Sequence, residues 1–74
     1  MKNKNKNKIK IKANGKKITI KSNCSLKELI IKLKIPTKMV AIELNRKIIN
    51  KSKLDKIALK ENDNLEIVHF IGGG

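Results

Sequence analysis

The residues with the clearest capacity for chemistry are Phe70-Ile71-Gly72-Gly73-Gly74, where a β-prone run gives way to three glycines and a carboxylate. Glycine has no Cβ, so such a thread can enter a channel too narrow for any side chain. Fully extended, Ile71 to Gly74 reach roughly 13 Å past the preceding strand. The carboxylate of Gly74 is the group that can be carried over that distance into another protein's active site, with Gly72 and Gly73 as the thread. Glycine-rich termini are in many chains no more than frayed ends, so the weight rests on the run leading into this one. Cys24 and His69 are the other reactive side chains. Both are read as structural: Cys24 at a loop–helix junction, His69 as a strand histidine packed beside a neighbour. One Cys and one His supply neither an internal disulfide nor a metal-ligand set. No catalytic residue and no metal site are assigned.

The elements that must position this tail are legible in turn. Ile9, Ile11 and Ala13 alternate with lysines, Asn14-Gly15 follows, and Ile18 and Ile20 alternate again with polar residues. Asn-Gly between alternating runs predicts a two-residue type I′ hairpin, because both central residues need φ > 0. That loop puts Ile11 opposite Ile18 and Ile9 opposite Ile20, with the isoleucines on one face and the lysines on the other. Ser25-Leu26-Lys27-Glu28 is a capping box, and Leu26, Leu29, Ile30 and Leu33 form one apolar stripe. Pro36 disfavours helical geometry at Ile35, so the helix should end near Lys34. Val40, Ile42 and Leu44 read as a third strand, Asn45-Arg46 as a turn of uncertain type, and Lys47-Ile48-Ile49 as a short fourth strand. Asn50 to Lys60 is a connection with a helical turn, anchored by Leu54, Ile57 and Leu59. After a turn cluster at Glu61-Asn62-Asp63-Asn64, Leu65 opens a last strand running through Phe70. Leu65 and Ile67 should face the core, leaving Glu66, Val68 and Phe70 on the opposite face, where with Ile71 they are candidates for partner docking.

A hairpin, one helix and a second strand group predict an α+β fold of the β-grasp (ubiquitin-like) type. The helix crosses a mixed sheet whose first and last strands are parallel, central neighbours. The expected organisation is a disordered Lys/Asn-rich extension over 1–8, a β-grasp domain over 9–71 and a flexible glycine tail over 72–74.

Composition narrows the function. With 74 residues the chain makes one domain with a small core and no room for an enclosed active-site cavity. No apolar run approaches the roughly 20 residues that span a membrane, and no signal-peptide pattern opens the chain. The cytoplasm, or an organelle compartment such as the plastid stroma, is the expected location. A net charge of +13 invites a nucleic-acid reading. Yet Arg46 is the single Arg and Phe70 the single aromatic, so stacking platforms and bidentate phosphate donors are nearly absent. A Lys-, Asn- and Ile-rich composition is what an A/T-rich genome produces, and nucleic acid is disfavoured as a partner.

From Lys8 to Gly74 the chain resembles the ThiS family, the sulfur carriers of thiamine thiazole biosynthesis. The resemblance is carried by Ile11-Lys12-Ala13-Asn14-Gly15-Lys16, the helix from Ser25 to Leu33, Val40-Ala41-Ile42-Glu43-Leu44-Asn45, Ser52, and the run from Asn62 to Gly74. The Glu66-Ile67-Val68-His69 lead-in distinguishes it from other carriers that end in Gly-Gly. Three departures stand out: Arg46 where Gly is frequent, Leu54 where an aromatic is common, and an unusually basic charge.

The resemblance implies a chain that is substrate and carrier rather than enzyme. Gly74 would be adenylated by a ThiF-like enzyme, converted to a thiocarboxylate by a persulfide-bearing enzyme, and used as sulfur donor by the thiazole synthase ThiG. No cofactor would be bound by the chain itself; ATP and Mg²⁺ would belong to the adenylating partner. Two alternatives stand beside this: a carrier for molybdopterin synthesis or tRNA thiolation, and a small basic RNA-binding β-grasp module.

Overall fold

A computed structural model describes residues 7–69 of the chain. Among them, strands β1 (Lys8–Ala13), β2 (Lys16–Lys21), β3 (Val40–Leu44), β4 (Lys47–Ile48) and β5 (Asn64–His69) form one sheet in the order β2-β1-β5-β3-β4. Helix α1 (Leu26–Lys32) follows the first hairpin, and a 3-10 helix (Lys51–Lys56) lies between β4 and β5. The last strand in sequence is the middle strand in space. It runs parallel to β1 and antiparallel to β3, as the β-grasp reading requires.

The first hairpin has the anticipated register, with Ile11 opposite Ile18 and Ile9 opposite Ile20. Asn14 (φ 52°) and Gly15 (φ 84°) supply the two left-handed residues of the loop. β1 begins at Lys8, paired with Lys21, and Asn7 accepts a hydrogen bond from the Ser22 amide at 2.9 Å. Lys8 therefore belongs to the sheet rather than to an extension ending at residue 8. The rest of the Lys/Asn-rich segment lies outside the described residues.

The Ser25 cap forms as a reciprocal pair. Its Oγ accepts from the Glu28 amide at 3.0 Å, and the Glu28 carboxylate accepts from the Ser25 amide at 2.9 Å. Two of the amide groups that an N-terminus leaves unpaired are thereby satisfied. The helix stops at Lys32, two residues earlier than Pro36 alone suggests. Lys34 adopts φ 58°, its amide bonds the Ile31 carbonyl at 3.0 Å, and the Ile35 amide bonds the Ile30 carbonyl at 3.1 Å. This is the Schellman stop, closed here by a lysine where glycine is usual. Because the backbone reverses there, Leu33 is 42% exposed and does not extend the apolar stripe.

The core joins Ile9, Ile11 and Ile20 of the hairpin, Leu26, Leu29 and Ile30 of the helix, Val40 and Ile42 of β3, and Leu65 and Ile67 of β5. Leu54 and Leu59 close it from the connection, so Leu54 fills its site without an aromatic ring. Burial of each such side chain is worth about 1.5–3 kcal/mol. Asn45 (φ 53°) and Arg46 (φ 71°) are both left-handed, so the β3–β4 turn is of the type I′ class despite the arginine. β4 stops at Ile48, leaving Ile49 half-buried beyond it.

The start of β5 is clasped from both sides. Asp63, the buried carboxylate, accepts from the Asn45 side-chain amide at 3.0 Å and from the Lys60 backbone amide at 2.8 Å. Asn45 also accepts from the Asn64 amide at 2.9 Å, and on the other flank the Lys12 amide donates to the Asp63 carbonyl at 2.9 Å. Replacing Asp63 by Ala leaves the Asn45 side-chain amide and the Lys60 backbone amide without their acceptor and is expected to lower the unfolding free energy by about 1–3 kcal/mol. Lys34→Gly, by relieving the left-handed strain, should raise it by about 0.5–1 kcal/mol. Urea denaturation of both variants checks the two signs together.

Candidate functional site

The geometry that matters is how β5 is held as it approaches Phe70. Within β5, Leu65 and Ile67 are buried while Glu66 and Val68 are exposed, Val68 by 46%. The strand therefore lays its polar and apolar outer residues on the sheet face away from the helix. Across from them β3 sets Ala41 opposite Val68 and Glu43 opposite Glu66, and β4 sets the exposed Ile48 opposite Glu43. Of the predicted docking residues, Glu66 and Val68 share this face and no loop covers Val68. Phe70, Ile71, Gly72, Gly73 and Gly74 lie outside the described residues.

A residue that sequence reasoning assigned only to a turn also serves this strand. β1 pairs with β5 through Lys12 and Ala13 and then turns away. Beyond that point the Asn14 side chain takes over, its Oδ1 accepting from the Ile67 amide at 2.8 Å while the Asn14 amide donates to the Leu65 carbonyl at 2.8 Å. One residue thus supplies the left-handed turn and extends the ladder by a side-chain carbonyl. The available signal was Asn rather than Asp or Gly at the first turn position; its long-range partner had no local signature.

His69 is exposed at the end of β5, opposite the fully buried Val40. The expectation that it packs beside a neighbour is not met, since its side chain is exposed. Cys24 is buried, and its Sγ–H donates to the Ser25 carbonyl at 3.3 Å. Burial, and secondly the Glu28 carboxylate, push the thiol above its ordinary value, against the opposing pull of Lys32 and Lys21. A protonated, buried thiol is a weak nucleophile, which agrees with a packing role. Among the described residues no cluster of three or more His, Cys, Asp or Glu could hold a metal ion. No helix there is long and apolar enough to cross a membrane.

Comparison with known proteins places this geometry. The model of the ThiS family matches residues 5–74. The sulfur carrier protein ThiS of Bacillus subtilis is 36% identical over 62 residues, covering 82% of this chain and 94% of that protein. A thiazole synthase of Magnetococcus marinus is 33% identical over 61 residues, which are 82% of this chain but 19% of that protein. The crystal structure of the thiamine biosynthesis protein ThiS from Geobacter metallireducens superposes with a TM-score of 0.78 at 29% identity, covering 89% of this chain and all of that one.

The state of Cys24 is open to direct measurement. At pH 7 its reaction with a disulfide reagent should be at least about tenfold slower in the folded chain than in urea. Because the folded thiol titrates higher than the unfolded one, its effect on stability is nil below the unfolded value. Stability should then decline as pH rises from there toward the folded value.

Proposed function

The chain belongs to the ThiS family, the sulfur carriers of thiamine biosynthesis, and on that premise we propose that it carries its sulfur as a thiocarboxylate on Gly74. What supports this most directly is the placement of β5. The strand that leads into Phe70 and the glycines is the central one of the sheet, paired with β1 and β3. A tail rooted there would leave from a strand paired on both sides.

The chemistry follows from the carboxylate. Its charge is delocalised and it has no good leaving group, so sulfur cannot displace oxygen directly. Attack of the Gly74 carboxylate on the α-phosphate of ATP releases pyrophosphate and gives an acyl adenylate. A persulfide sulfur then displaces AMP, and a thiol cleaves the resulting acyl disulfide to leave the thiocarboxylate. The catalytic groups, ATP and Mg²⁺ sit on a ThiF-like adenylating enzyme and a persulfide-bearing donor; this chain is substrate and carrier. The acceptor is thiazole synthase, a reading supported by the Magnetococcus marinus thiazole synthase, part of whose own sequence resembles this chain. The reactions take place in the cytoplasm or an equivalent compartment.

Docking falls to the face beside the tail, with Glu66, Val68, Phe70 and Ile71 contacting the partner while Gly72 and Gly73 thread its channel. Among the described residues that face carries Glu66 and Val68, with Ala41 opposite Val68 and the exposed Ile48 opposite Glu43.

Incubation with the adenylating enzyme, Mg-ATP and the persulfide donor should give the mass gain of one sulfur-for-oxygen exchange on the intact chain. Deleting Gly74, or blocking it as an amide, should abolish the gain; normal sulfur delivery by the blocked form would refute the mechanism. Val68→Asp should raise KM for activation by about tenfold while changing the unfolding free energy by no more than about 0.5 kcal/mol.

A further inference from the structure

The outer sheet face carries its two signs of charge in separate halves. On the β2–β1 side, Lys12 stands opposite Lys17 and Lys8 opposite Lys21, with Lys10 between them on the same face. All five are exposed. On the β5–β3 side, Glu66 stands opposite Glu43. Directly opposed residues on one face of an antiparallel pair lie within about 4.5–5.5 Å at Cβ, and like charges there are unfavourable. Interleaving the two sets would have turned each repulsive pair into an attractive one. The chain forgoes that gain three times on one face: at Lys12–Lys17, at Lys8–Lys21 and at Glu43–Glu66. Between strand and turn, Lys10, Lys12 and Lys17 also line an open depression of about 370 Å³, with Glu61 the single carboxylate there.

Sorting of this kind makes sense when the countercharges sit on another molecule. Resting on the carrier reading above, we propose that this face is a two-signed docking surface for the adenylating enzyme. That enzyme would meet Lys10, Lys12 and Lys17 with an acidic patch and Glu43–Glu66 with a basic group. The acidic half includes β5 itself, the strand that leads to the tail, and the basic half lies on the neighbouring hairpin, so the charges fix both orientation and register of docking, and the net charge of +13 steers the approach. A protein partner fits better than RNA. A phosphate backbone laid over the lysines would run against Glu43 and Glu66, and the sequence holds one aromatic for stacking, Phe70.

The test compares three variants of equal chemistry: Lys10→Gln/Lys12→Gln/Lys17→Gln, Glu43→Gln/Glu66→Gln, and a remote set, Lys27→Gln/Lys53→Gln/Lys56→Gln, on the helices. Each is activated by the ThiF-like enzyme with Mg-ATP and read by intact mass, with urea midpoints as folding controls. Both sheet sets should fold at least as well as the parent, since each loses a like-charge pair. Each should raise KM about tenfold with kcat unchanged, a difference that shrinks to within about twofold at 0.5 M salt. The remote triple should stay within about twofold of the parent. If the remote triple raises KM as much as the hairpin triple, net charge alone is at work and the inference fails. It fails equally if neither sheet set changes KM. It also fails if the hairpin triple loses affinity only for a random RNA oligonucleotide. In all these cases sulfur loading of the parent survives, so the carrier reading stands; a parent chain that takes up no sulfur overturns both.

Discussion

The structure depends on holding the β1 side of its central strand with little backbone to do it, the other side being secured by a continuous ladder to β3. β5 is flanked by β1 through only Lys12 and Ala13, too short a parallel ladder to fix a strand alone. Side-chain carbonyls and carboxylates make up the difference. Asp63 and Asn45 secure the entry of β5, and Asn14 secures its middle after β1 has turned away. The Asn45–Asp63 and Asn14–Ile67 bonds are partly shielded from water, where an unmet partner is costly and a met one is directional. Everything proposed for the tail presupposes that this strand leaves the sheet at a fixed place and angle.

How much of this could be read beforehand depends on the range of the interaction. The first hairpin was legible because period-two alternation and Asn-Gly agree on one register, and the helix start because Ser25 and Glu28 are three residues apart. The helix stop was placed too late. Pro36 was the visible breaker, whereas the actual breaker is Lys34 in a left-handed conformation, a role for which lysine has no propensity and which tertiary packing of Ile35 must enforce. Likewise Arg46 gave no sign of φ 71°, because the turn is dictated by the pairing of Leu44 with Lys47 around it. The two-sided role of Asn14 was invisible for a simpler reason: its partner Ile67 lies 53 residues away.

The candidate site divides in the same manner. The type and order of the tail residues could be read directly, and alternation alone put Glu66 and Val68 together. What alternation within one strand does not reveal is which strands sit beside it. The opposition of Glu43 to Glu66, and of Lys12 to Lys17, emerges only from the strand order. The high lysine content, which by composition alone looks like genomic drift, acquires a spatial pattern once the sheet is assembled.

The strand order also bears on synthesis. β1 and β3 are hydrogen-bonded to β5 and not to each other, so the slot between the two hairpins is filled by a strand made after both of them. A chain halted before residue 64 lacks the strand that joins the two hairpins, and the pairing edges of β1 and β3 are left open. Domains generally form as units, and such exposed edges favour aggregation and degradation. Closure of the sheet thus waits on β5, and a molecule whose sheet is closed has already set in place the strand that leads to the glycines.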